Sequence, residues 1–252
     1  MAKVAVERNS KQEWLPPWTR LEHEARYEFA SRFVSGKRVV DCACGAGIGS
    51  ALFAATAFEV LAIDSSPDAV AEAKEASSRA NLQIAVGDAT KIDVPDDSVD
   101  VFISLETIEH IERDFALVDE AFRVLKPGGI FICSTPNREM TNPGTSLKDK
   151  PWNPFHVREY NLEEFRACLE RRLKIEGVYG QNPQSKSRVA LAMRLASMIG
   201  TSLVVKINKL LKCRWFVWPA PGHHAVRSVA IDRDYEFYVL IGRVTTPKNS
   251  AC

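Results

Sequence analysis

The sequence predicts an α/β protein with a doubly wound parallel sheet, on three observations. From Arg38 to Pro136, short apolar strand runs alternate with helical patterns, the rhythm of repeated βα units. A glycine-rich turn, CACGAGIGS, follows the first run. Carboxylates stand at the ends of the first three runs (Asp41, Asp64 and Asp88), where open α/β sheets bind their ligands.

The elements follow in order. Residues 1–19 are polar and broken by proline, and are expected to form a flexible arm ahead of a single domain over 20–252. Thr19 to Phe33 has helical spacing, with Thr19 at the N-cap and Leu21, Ala25, Phe29 and Phe33 four apart; Gly36 ends it. RVVDCA is the first strand, followed by a helix around 48–57. EVLAID is the second, followed by a helix over 67–80 with Pro67 at its first position. LQIAVGD and VDVFISL are the third and fourth strands. Residues 112–125 form a helix closed by Lys126-Pro127-Gly128-Gly129, and GIFICSTP is the fifth strand. Residues 137–158 make a long connection rich in Asn and Pro, and such lengths in compact domains go with function. NLEEFRACLERR is a helix opened by Asn161, LKIEGVYGQ a strand and YEFYVLIGRV the last strand, with an insertion at 181–231 between these two.

Composition narrows the class. Hydrophobic content of 46% with 26% charge is that of a globular domain, and no apolar run approaches the roughly 18 residues that a membrane span needs. The first residues lack the apolar core of a signal peptide, so a cytoplasmic protein is expected. Cysteines at 42, 44, 133, 168, 213 and 252 have no C-x-x-C spacing and are expected as reduced, packed thiols. The net charge of +1 hides an asymmetry: residues 181–231 contain no Asp or Glu and carry +8, leaving −7 elsewhere. Such a block suits an anionic partner.

The first turn selects the cofactor class. A dinucleotide site would show G-x-G-x-x-G, but Gly45, Gly47 and Gly49 bring the third glycine one residue early, with Ser50 in its place. Alone, such a turn is a tight βα corner. Asp64 can take both hydroxyls of a ribose, and Asp88 can accept from an exocyclic amine such as adenine's. Any single aspartate would serve as a helix N-cap; three on successive strands argue for a nucleoside. Together VVDCACGAGIGS, VLAIDSSPDAV, GDATKIDVPDDSVDVFIS and RVLKPGGIFICSTPN resemble the class I S-adenosylmethionine-dependent methyltransferases, over about residues 20–180 and the last strand. The resemblance implies a Rossmann-like seven-stranded sheet with its last strand antiparallel, and S-adenosyl-L-methionine as cofactor. It would set Gly45 and Gly47 beside the methionine, Asp64 on the ribose and Asp88 with Ala89 on the adenine. Asp41, Ala43, Ser65 and Leu105 complete the implied cofactor set, with Ala43 standing where the family usually has glycine.

The stretch SLETIEHIERD, residues 104–114, ends the fourth strand, which in this fold faces the transferred methyl. Glu106, Glu109 and His110 are spaced i, i+3 and i+4, one face of a helical turn. Carboxylates there also suit the positive end of a helix dipole. Two carboxylates and an imidazole on one face repel or share protons unless a cation joins them, and hard oxygens with one nitrogen suit Mg²⁺ or Mn²⁺, with Zn²⁺ also open. His156, in NPFHVREY, is the fourth candidate ligand. E-x-x-E-H with a later His resembles the metal site of the small-RNA 2′-O-methyltransferases, and E-x-x-E-H that of the ubiquinone-biosynthesis O-methyltransferases. This implies metal-assisted O-methylation with Glu109 and His110 as catalytic residues. The metal-free alternative makes His110 a general base and leaves the glutamates to cap a helix. His23, His223 and His224 are weaker candidates.

HEARYEFASRF and STPNREMTNPG resemble methyltransferases encoded with glycan-building enzymes, which implies a sugar or glycan diol; a catechol would satisfy the same chelation. If 186–212 is one helix, Arg188, Arg194, Lys206, Lys209 and Lys212 share an arc of about 120°. That pattern fits a lid, a membrane-surface helix through 186–218 on the inner face, or a helix packed over the sheet with solvated charges. It also suits a phosphate-bearing or lipid-linked acceptor. The −7 elsewhere weighs against a long nucleic-acid footprint. The non-enzyme reading is a cofactor-binding regulatory subunit, against which the intact Glu106, Glu109 and His110 stand.

Overall fold

The computed structural model describes residues 17–185, 224–230 and 233–245. Its strands are β1 (Arg38–Cys42), β2 (Glu59–Asp64), β3 (Leu82–Val86), β4 (Val99–Leu105), β5 (Leu125–Pro136), β6 (Lys174–Ser185), β7 (Arg227–Ser228) and β8 (Arg233–Arg243). They form one sheet in the order β3-β2-β1-β4-β5-β8-β6-β7. Strands β1 to β5 pair in parallel, and β8 runs antiparallel to both β5 and β6. The expected seven strands thus become eight, the addition being the two-residue β7 on the β6 edge.

The helices are α1 (Pro17–Ser31), α2 (Ile48–Phe53), α3 (Pro67–Ala76), α4 (Asp114–Val124), α5 (Arg138–Thr141) and α6 (Leu162–Glu170). Local signals set their starts. Pro67 opens α3 behind Ser66, whose hydroxyl accepts from the Ala69 N–H. Asn161 and Glu164 form a capping box on α6. Helices α2 and α3 stop earlier than apolar spacing suggests, at Phe53 and Ala76. Lys126-Pro127-Gly128-Gly129, expected to close the preceding helix, lies inside β5, where the register against β4 shifts between Val99 and Val101. The connection after β5 contains α5, capped by the Asn137 side chain.

Both faces of the central strands are buried, as a doubly wound sheet requires. Phe102 and Phe131 meet α4 and α6 through Leu117, Val118, Phe165 and Leu169. On the opposite face Val101, Ile103 and Ile132 pack with Phe29, Ala30 and Phe53 of α1 and α2. Helix α1 buries only the C-terminal half of the apolar stripe expected of it, Phe29 with Phe33 packed beside it. Leu21 is 44% exposed, while Glu22 and Arg26 are buried beside Phe29 and Ala30.

Strand pairing reaches into both ends of the expected insertion, through Ser185 and from Arg227. The basic helix expected over 186–212, the aromatic run RWFVWPAP and His223 lie outside the described residues. No helix among the described residues is long and apolar enough to cross a membrane.

Candidate active site

The chain runs outward from β1 through β2 to β3, then returns to place β4 on the other side of β1. The crevice beyond the carboxyl ends of β1 and β4 is where such sheets bind ligands. A cavity of ≈ 660 Å³ opens there.

One wall is the turn between β1 and α2, which takes left-handed backbone at Ala43 (φ 62°), Gly45 (φ 54°) and Gly47 (φ 76°). Gly47 is required twice over, since a Cβ there would also lie 2.8 Å from the Cβ of Ala73. Asp64 ties this turn to the next: one carboxylate oxygen accepts from the Gly45 N–H (2.9 Å) and the other from the Ser66 N–H (2.8 Å). Asp88 accepts from the Thr90 N–H and hydroxyl, both at 2.7 Å, and these bonds hold its carboxyl below the usual range. Ala43, Gly45, Asp64, Ser65, Asp88, Ala89 and Leu105 line the cavity. Gly47 and Asp41 stand outside the lining. Asp41 is buried, accepting from the Ser50 hydroxyl, and burial together with the Asp64 charge pushes its carboxyl up to about 6.

The E-x-x-E-H stretch does not fold as one helical face. Glu106 leaves β4 with left-handed backbone (φ 54°), and the helical turn covers only Ile108–His110. Glu106 accepts from the Ser134 hydroxyl (2.7 Å) and lies 4.0 Å from the Arg26 guanidinium. It is therefore not one of the clustered ligand candidates. Glu109, His110 and His156 do cluster, with a ligand atom of each within 4.8 Å of the others. The His110 and His156 rings meet edge to face at 4.8 Å. His110 Nδ1 lies 3.0 Å from the Phe155 carbonyl, and His156 Nδ1 lies 2.5 Å from Glu159 Oε1. Glu109 is 1% exposed; its Oε2 accepts from the Thr135 hydroxyl, while Oε1 has no hydrogen-bond partner. Burial, and then the charge of Glu106, push its carboxyl up to about 8. Backbone bonds from Val157 and Arg158 to the Glu109 carbonyl strap the His156 segment over this turn. Of the cluster, His110 lines the cavity, so the two sites share a wall.

Helix α1 supplies what sequence patterning overlooked. Tyr27 lines the cavity together with His23, one turn away and one of the weaker candidates of the sequence, and burial lowers the His23 pKa well below its usual value. Arg26, 1% exposed, stacks over Phe237 at 4.5 Å and donates to Gln181, leaving Nε and Nη2 without hydrogen-bond partners. Charged residues on a buried helix face break the apolar period that would have revealed them. His224 lies outside the cavity lining; its carbonyl accepts from the Gln181 side chain.

Residues 40–133 match the family model described as a methyltransferase domain. A Mycolicibacterium smegmatis protein named "Probable S-adenosylmethionine-dependent methyltransferase" is 38% identical over 153 residues, 61% of this chain and 57% of that protein. A Cereibacter sphaeroides ubiquinone biosynthesis O-methyltransferase is 29% identical over 119 residues, 46% of this chain and 48% of that one. The chain spans about half the length of the curated relatives it matches. The crystal structure of an S-adenosylmethionine dependent methyltransferase from Mesorhizobium loti is similar at a TM-score of 0.57 and 20% identity, covering 88% of this chain and 99% of that one, a likeness of fold. Residues 40–133 are thus similar to a methyltransferase domain, and the fold around them is like that of a solved S-adenosylmethionine-dependent methyltransferase.

Proposed function

We propose that the chain is an S-adenosylmethionine-dependent O-methyltransferase that acts, assisted by a divalent metal, on a sugar or glycan hydroxyl with a second oxygen beside it. One observation carries this reading: the Glu109–His110–His156 cluster adjoins the cavity that bears Asp64 and Asp88, through His110.

The residues fit both groups. Asp64 keeps acceptor capacity beyond its two backbone bonds, and Asp88, also in the cavity lining, can accept an amine. S-Adenosylmethionine would supply an electrophilic methyl on its sulfonium. In the cluster, the orphaned, buried Glu109 Oε1 and the two imidazoles offer one oxygen and two nitrogens. With Glu106 elsewhere, this set is softer than the sequence implied and favours Mn²⁺ or a neighbouring transition ion over Mg²⁺. Such an ion would draw two vicinal oxygens together and lower the pKa of the hydroxyl. With His110 Nδ1 3.0 Å from the Phe155 carbonyl, its other ring nitrogen, Nε2, would serve either as the ligand to the ion or, without a metal, as the base for the acceptor proton, and not as both. The same feature favours a second reading, in which His110 is the base without a metal and a catechol or quinone precursor serves equally well. The +8 of residues 181–231 suits an acceptor carrying phosphate, free or on a lipid.

The test is methyl transfer to a panel of sugars, sugar phosphates and catechols, run with chelator and with added Mn²⁺. Activity lost to chelator and restored by Mn²⁺ supports the metal reading. Full activity in excess chelator, with loss only in His110→Ala, overturns it in favour of the metal-free base.

A further inference from the structure

The metal-assisted reading leaves unused a buried carboxyl group beside the cluster. Glu159 is 2% exposed and stands on the connection after β5, beyond the ligand cluster itself. Its Oε1 lies 2.5 Å from His156 Nδ1, while its Oε2 accepts from the Thr141 hydroxyl and the Asn142 side-chain amide. On the other side of the ring, Asn153 Nδ2 lies 3.0 Å from His156 Nε2. A carboxylate can only accept at one ring nitrogen, and an amide NH₂ can only donate at the other. The two contacts therefore agree on a single state of the ring.

We propose that Glu159 is a positioning residue: its carboxylate fixes His156 with the proton on Nδ1 and the lone pair on Nε2, ready to join Glu109 and His110. The inference rests on the metal-assisted reading above. A carboxylate behind a histidine, on the side away from the ion, both orients the ring and strengthens it as a ligand. Asn153 then acts as a placeholder that guards the Nε2 lone pair until an ion displaces it. The bland competitor is that Glu159 merely gathers the loop through Thr141 and Asn142.

Three variants of the full chain separate these roles: Glu159→Ala, Glu159→Gln, and Thr141→Val, which removes a loop contact but leaves the Glu159–His156 pair. Two readouts are needed, the ¹⁵N shifts of the His156 ring without metal and Mn²⁺ affinity by electron paramagnetic resonance. The wild type is expected to hold Nδ1–H alone. Glu159→Ala should mix the tautomers and weaken Mn²⁺ binding by about 10–100-fold, with S-adenosylhomocysteine affinity unchanged. Glu159→Gln, which keeps an acceptor oxygen, should recover much of both, and Thr141→Val should behave as wild type. Unchanged tautomer and Mn²⁺ affinity in Glu159→Ala, or an equal loss in Thr141→Val, would overturn the proposal. If the wild type binds no Mn²⁺, the metal reading fails by itself, and the tautomer in Glu159→Ala still decides whether Glu159 sets the ring.

Discussion

Two aspartates twenty-three residues apart in the same crevice carry opposite burdens. Asp64 lines the cavity, with each oxygen already engaged by a backbone N–H and able to accept again from the proposed cofactor. Asp64→Ala should lower S-adenosylhomocysteine affinity by about 10–100-fold in calorimetry, the scale of ~1.5–3 kcal/mol for bonds to a charged group. An unaltered affinity would remove it from the site. Asp41 serves the turn, buried beneath it, and is raised to about 6 from the ordinary 3.8. The folded state therefore binds this proton more tightly than the unfolded chain. Stability falls as pH rises from about 4 to 6, and the loss persists above it at ~3 kcal/mol, from 1.36 kcal/mol per pH unit. Asp41→Asn should thus melt several degrees higher than wild type at pH 7.5, with the gap closing below pH 4; a variant that melts lower at pH 7.5 would refute the sign. Both aspartates were legible, because strand ends are readable from apolar runs. That one lines the cavity and the other lies beneath it was not, since one residue of turn geometry separates the two. Ala43 is a third case: its left-handed backbone costs about 1–2 kcal/mol that glycine would avoid, and only the resemblance flagged the position.

At the scale of elements, periodicity served the strands and failed where charge is buried. The fourth and fifth strand runs formed where expected, as β4 and β5, which pair with Phe102 opposite Phe131 and Ile103 opposite Ile132. Helix α1 begins at Pro17, with Thr19 inside it rather than at the N-cap, and Glu22 and Arg26 share its buried face with Phe29, Asn182 bonding to Glu22 at 2.7 Å. The i, i+3, i+4 spacing of Glu106, Glu109 and His110 misled for a backbone reason. One left-handed residue at Glu106 turns the chain before the helical turn begins, so the spacing has no common face. Helix α6 shows a signal that held: Asn161 accepts from the Glu164 N–H, and Glu164 accepts from the Asn161 N–H, each at 2.9 Å. Glu164 also pairs with Arg138, joining α6 to α5. Asn161→Ala should cost about 1 kcal/mol of stability in denaturant unfolding while leaving cofactor affinity intact. A loss of cofactor binding at unchanged stability would mean that this cap is part of the site.

For the molecule as a whole, the order of strands in space differs from their order in the chain at a consequential place. Strand β8, the last along the chain among the described residues, lies between β5 and β6 rather than at an edge. It pairs with β5 from Ile130 to Pro136 and with β6 from Lys174 to Ser185. During synthesis the first five strands can assemble around β1, but β6 has only the two-residue β7 to pair with, and no link to β5, until residues 233–243 leave the ribosome. Until then the β5 edge, with Phe131 and Cys133 on it, stands open as a template for other chains. A chain stopped before Arg233 should accordingly aggregate, measured as light scattering of freshly translated product, while the full chain stays dispersed. Dispersed, S-adenosylhomocysteine-binding product from the shortened chain would contradict this. The nascent protein thus spends the time needed to translate roughly a hundred residues with its sheet half built, and the exposure ends only when its closing strand slides between two others.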